Sequence, residues 1–157
     1  MKIKLIFIGK TEKKQLQPIL SMYLKRLQRY ARIETIEISD IKKRGALREE
    51  EVKEQEGMKI LDKTENSDYL ILLDENGVSM SSVEFAGFIE KLQLRAVRQV
   101  VFVVGGAWGF SKAVYQRADK KISLSSMTFS HQLIRIIFAE QLYRAFTIIK
   151  NEPYHHA

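Results

Sequence analysis

The chain has 157 residues, a length that fits a single domain over residues 1–157 and suffices to bury a substantial core. Hydrophobic residues make up 45% and charged residues 29%, as in soluble globular proteins, and the absence of cysteine excludes a disulfide framework, a thiolate zinc site and a cysteine nucleophile. The formal net charge of +7 favours a polyanionic partner, nucleic acid ahead of membrane; with apolar runs too short to span a bilayer and no cleavable leader in residues 1–9, we expect a cytoplasmic protein.

Ile3, Leu5, Ile6, Phe7 and Ile8 predict a first strand that stops at Gly9-Lys10. Leu16, Ile19, Leu20, Tyr23, Leu27 and Tyr30 then form a helical stripe on a charged surface, and residues 32–38 alternate charged with apolar, predicting a strand near an edge. Residues 39–47 are polar and basic, with Lys42, Lys43, Arg44 and Gly45 in sequence, and read as a loop before a largely exposed helix over 48–63. Tyr69, Leu70, Ile71, Leu72 and Leu73 make a continuous apolar strand, buried on both faces, which the run Asp74, Glu75, Asn76, Gly77 ends as a turn. Ser81 and Glu84 fit a capping box, and Phe85, Phe88, Ile89 and Leu92 give the next helix its buried face.

A central strand over 100–104 runs into Gly105, Gly106, Ala107, Trp108 and Gly109, followed by a short helix and a short strand over 121–124. The uncharged run from Ser125 to His131 opens a long helix over 130–150 whose apolar residues cover most of its circumference, which calls for a subunit partner, most simply in a symmetric dimer. Strands alternating with helices predict an α/β fold, a mostly parallel sheet with helices on both faces. Loops of glycines and small hydroxyl residues at strand ends expose backbone N–H and C=O groups, so the ligand site is expected there. The glycines do not form the G-x-G-x-x-G fingerprint and no G-K-[ST] loop is present, so a dinucleotide or triphosphate site is not expected. His131, His155 and His156 lack close carboxylate pairing, so no metal is expected, and Glu140 is spaced to pair with Arg144.

The segments FVVGGAWGF, SLSSMTFSHQLIRIIFAEQLYRAF, NEPYH and the opening KIKLIFIGK resemble the ribosomal RNA large subunit methyltransferase H family, a minimal branch of the SPOUT methyltransferases, at nearly full length. The resemblance implies a C-terminal trefoil knot, which periodicity does not reveal, a homodimer, and S-adenosyl-L-methionine as cofactor. It implies cofactor contacts at Leu73, Gly105, Leu124, Ser125, Ser126, Met127, Thr128 and Phe129, and catalytic roles at His131, Arg144, Tyr154 and His155, with His155 as proton acceptor. The implied reaction is methylation of N3 of a pseudouridine in 23S rRNA at the ribosomal subunit interface, with Lys42, Lys43, Arg44 and Arg48 as candidate phosphate contacts. The alternatives are a SPOUT enzyme acting on another RNA such as tRNA, and a non-catalytic RNA-binding assembly factor.

Overall fold

The computed structural model describes residues 1–39, 41 and 48–155. Its strands are β1 (Lys2–Ile8), β2 (Arg32–Ile38), β3 (Tyr69–Ser79), β4 (Gln99–Val104) and β5 (Lys120–Ser123), and its helices are α1 (Leu16–Leu27), α2 (Glu49–Asp62), α3 (Ser82–Leu94), α4 (Lys112–Arg117) and α5 (Leu133–Ile149). The strands form one parallel sheet in the order β2-β1-β4-β3-β5. The basic segment Lys42, Lys43, Arg44 lies outside the described residues.

Alternation along the central strands divides the core in two, because successive side chains point to opposite faces. Ile3, Leu5 and Phe7 of β1 join Val100, Phe102 and Val104 of β4 under α1, α3 and α5. Ile6, Ile8, Val101 and Val103 pack on the opposite face with Ile60 of α2 and Val114 of α4. Burial on both faces explains the uninterrupted apolar reading of β1, β4 and the first half of β3. β2 lies at an edge, as its alternation predicts. The Ser81–Glu84 capping box forms as expected: Ser81 N–H donates to Glu84 at 2.7 Å and Glu84 N–H to Ser81 Oγ at 3.2 Å.

One boundary differs from the sequence reading. β3 does not end at the turn signal but resumes, so that Leu73 and Val78 both pair with Ile122 of β5 and residues 74–77 form an irregularity between them. Gly77 makes this possible: a Cβ there would lie 2.5 Å from the backbone nitrogen of Ile122. Asp74, Glu75 and Asn76 are therefore set out at the C-terminal side of the sheet rather than spent in a simple reversal.

α5 begins at Leu133 and is tied to the end of β1 by Arg135, which is fully buried. Its guanidinium donates to Gly9 O at 3.1 Å, Thr11 Oγ1 at 2.9 Å, His131 O at 3.0 Å and also Ile8 O, and it lies over the Phe7 ring. Burial lowers its pKa and the Glu37 carboxylate offsets this in part. The chain thus returns from β5, at one edge, across the ends of β3 and β4 to the end of β1.

Candidate active site

A cleft of about 600 Å³ opens at the C-terminal ends of β3, β4 and β5, within the usual size of small-ligand pockets. Parallel pairing places the ends of neighbouring strands side by side, so loops distant in sequence meet there. Leu73, Gly105, Leu124, Ser125, Met127, Thr128 and Phe129 all line the cleft, with His131 at its α5 end. Ser126, the remaining residue of that set, is exposed and outside the lining. The loop after β5 is shaped by its hydroxyls: Ser123 Oγ donates to Ser125 O at 2.9 Å, and Met127 N–H donates to Ser125 Oγ at 2.8 Å. Ser130 Oγ accepts from Leu133 N–H at 3.2 Å at the start of α5. A Cβ at Gly105 would stand 2.9 Å from the Phe110 ring, so a larger residue there would have to displace that ring.

The lining also includes Asp74, Tyr115 and Ile122, which motif reasoning did not select. Tyr115 donates its hydroxyl to Asp74, and burial followed by this bond pushes its pKa up to about 12. The signal for Asp74 was its place directly after an apolar strand, read as a turn. Nothing local marks Tyr115, whose position follows from packing of α4 on the sheet. Exposed Trp108, Met127, Phe129 and Leu133 give the cleft region an apolar rim.

A second cluster forms at the other end of α5. The helix stops in a backbone motif in which Asn151 takes φ 54°, Asn151 N–H donates to Ile148 O at 3.0 Å and Glu152 N–H to Thr147 O at 2.8 Å. Asparagine tolerates this left-handed conformation, and it turns the tail back along the helix. Tyr154 and His155 consequently meet Arg144. Glu140 is the hub: it accepts from Arg144 Nε at 3.0 Å, Arg144 Nη2 at 2.6 Å and Tyr154 Oη at 3.3 Å. Arg144 Nη1 lies 3.4 Å from His155 Nδ1, and the guanidinium sits 4.9 Å from the Tyr154 ring centre. A guanidinium can only donate, so the Nδ1 lone pair faces it and a neutral imidazole carries its proton on Nε2, an atom buried without a hydrogen-bond partner among the described residues. Burial, then contacts with Tyr23 and Glu140, push the Tyr154 phenol up to about 12, so it is a donor at neutral pH.

The residues given catalytic roles by resemblance therefore separate. Arg144, Tyr154 and His155 come together, while His131 lies in the cleft. Ile134 in the cleft and Arg144 are about ten residues apart on α5, roughly 15 Å along the axis. Among the described residues, no group of three or more His, Cys, Asp or Glu side chains could hold a metal ion, and no helix is long and apolar enough to cross a membrane.

A family model described as Predicted SPOUT methyltransferase matches residues 1–155. The chain is 53% identical to the Ribosomal RNA large subunit methyltransferase H of Christiangramia forsetii and 52% identical to that of Flavobacterium johnsoniae, in each case over 156 residues and 99% of both chains. It is 42% identical, over the same share of both chains, to the protein of that name from Bacteroides thetaiotaomicron.

Proposed function

The chain belongs to the SPOUT methyltransferase family, and from that premise we propose that it is an S-adenosyl-L-methionine-dependent rRNA methyltransferase that modifies N3 of a pseudouridine in 23S rRNA at the ribosomal subunit interface. The observation that carries this reading is the convergence of Leu73, Gly105 and the loop after β5 on one cleft of suitable volume. The cofactor fits the residues present. Gly105 lets the Phe110 ring pack directly against the backbone at the cleft, the loops offer backbone donors and acceptors for an adenine edge, and Leu73, Leu124 and Met127 are apolar walls for a ring and a thioether. When bound, S-adenosyl-L-methionine supplies an electrophilic methyl group on a sulfonium centre.

The chain's own task is to prepare the acceptor. N3 of the base carries a proton near neutral pH and is a poor nucleophile, so the proton must be taken and the resulting anion stabilised. His155 is the acceptor in this reading, through the Nδ1 lone pair that otherwise faces Arg144. Glu140 engages Nε and Nη2 of Arg144, so Nη1, released from His155 Nδ1 when that atom takes the proton, donates to an anionic base oxygen. Tyr154, kept protonated, donates to and orients the base.

The separation of cluster and cleft along α5 supports a homodimer in which the tail of one protomer serves the cleft of the other, and the apolar rim of Trp108, Met127, Phe129 and Leu133 gives such a contact its surface. The path of the chain from the β5 edge back to β1 supports the trefoil knot. In this reading residues 1–157 act as one domain in the cytoplasm, without a metal. The test is methyl transfer from labelled cofactor to assembled ribosomes and, separately, to tRNA, with the modified nucleoside identified by mass. Label on N3 of a 23S rRNA pseudouridine is expected; label in tRNA alone would reject the assignment.

A further inference from the structure

The loop between β1 and α1 carries Lys10, Lys13 and Lys14, all exposed and none in an ion pair among the described residues. Its backbone, by contrast, is tethered almost atom by atom. Arg135 holds Gly9 O and Thr11 Oγ1, and Glu37 accepts from Thr11 N–H at 2.9 Å. Gln132, at the end of the cofactor loop, grips it from both sides: its Nε2 donates to Lys10 O at 2.9 Å and its Oε1 accepts from Glu12 N–H at 3.0 Å. The one carboxylate in the loop, Glu12, is turned onto the start of α1, accepting from Lys14 N–H at 2.8 Å and Gln15 N–H at 2.7 Å, and these bonds lower its pKa. The acid is consumed internally while three cations face solvent.

The location adds to the chemistry. Lys10 shares a small cleft with Gly106, Trp108, His131 and Gln132 and with the buried Glu56, and the first three also line the cofactor cleft. On its other side Lys10 and Lys13 edge a groove of about 650 Å³ that includes Thr11, Gln17, Thr35 and Glu37, whose carboxylate is engaged by Thr11 N–H. Three exposed cations on a tethered backbone, with Glu37 turned onto Thr11 N–H and Glu56 buried, match the charge of a nucleic-acid backbone.

We propose that the β1–α1 loop is a preformed seat for RNA backbone phosphates, which holds the strand flanking the target nucleotide against the mouth of the cofactor cleft. Gln132 makes that seat continuous with the loop that encloses the cofactor. This inference rests on the reading of the protein as an RNA methyltransferase.

The test compares the intact protein with a variant carrying Lys10→Gln, Lys13→Gln and Lys14→Gln, and with a control carrying Lys25→Gln and Arg29→Gln on exposed positions elsewhere. Affinity for assembled ribosomes is measured across a salt series, with S-adenosyl-L-methionine affinity, subunit mass and methyl transfer measured in parallel. The triple variant is expected to bind ribosomes about tenfold more weakly near physiological salt and to lose about one unit of log-log salt slope per lysine. It should raise KM while keeping kcat, cofactor affinity and subunit mass. An unchanged slope, an equal loss in the control, or dissociation of the subunits would each overturn the proposal. Absence of methyl transfer by the intact protein would refute the activity reading instead, and the salt series would still decide whether the lysines seat RNA.

Discussion

The two ends of α5 are built from different parts of the chain. At the N-terminal end, backbone predominates: Gly105, the Ser125 turn and the loop before Leu133 form walls whose shape depends on missing or short side chains. At the C-terminal end, side chains do the work, with Glu140 distributing Arg144 and Tyr154 around His155. A site built of backbone tolerates changes in polarity and fails when a carbon atom is added. One built of side chains tolerates changes in bulk around it and fails when a single donor or acceptor is lost.

The largest effect that would probe this contrast is expected at Arg135, the bolt holding the N-terminal end to β1. Arg135→Leu leaves Ile8 O, Gly9 O and Thr11 Oγ1 without their buried donor and should cost about 3–5 kcal/mol of stability, read as a lowered midpoint in urea unfolding. A shift under about 1 kcal/mol would show that water or another side chain can replace the guanidinium.

His155→Ala should lower kcat by about 10²-fold or more and leave cofactor affinity within twofold, because in the proposed reaction the imidazole acts on the base and not on the cofactor. Calorimetry of cofactor binding beside single-turnover methyl transfer separates the two quantities, and equal losses in both would remove the distinction between the ends. The converse change, Gly105→Val, should weaken cofactor binding about tenfold, roughly 1.4 kcal/mol, since its side chain must displace the Phe110 ring. Unaltered affinity would mean that the loop moves freely and does not shape the cleft.

The smallest effect concerns pH. Tyr154 and Tyr115, one at each end, are both raised from 10.0 to about 12, chiefly by burial. Their stabilising contribution is complete below the unfolded value near 10 and is lost as pH rises through about 12. Stability followed by circular dichroism should therefore be insensitive to these groups at pH 8–9 and fall between about 10 and 12. Tyr154→Phe should flatten part of that alkaline fall while leaving the part due to Tyr115.

Much of the site was legible because its constraints are local. The glycines after β4, the hydroxyl run after β5 and the tail dipeptide are contiguous in sequence, and resemblance to a known family could attach a ligand to them. Asp74 was misread because a turn signal and a strand irregularity use the same residues; only the approach of β5 to Gly77 distinguishes them. The role of Arg135 becomes visible only once β1 lies beside it. The apolar circumference of α5 was legible as well, yet much of it is satisfied by contact with α1, α3 and the sheet.

The sequence by itself determined the alternation of strands and helices, the burial of the central strands on both faces, and the edge character of β2, because these follow from run lengths and from periods of two and about 3.6 residues that any short segment carries. The tertiary structure alone decided the strand order β2-β1-β4-β3-β5, the return of the chain to β1, and the placing of cleft and tail cluster at opposite ends of one helix. Those choices depend on which distant segments bury each other's surface and satisfy each other's hydrogen bonds, and no local period records them.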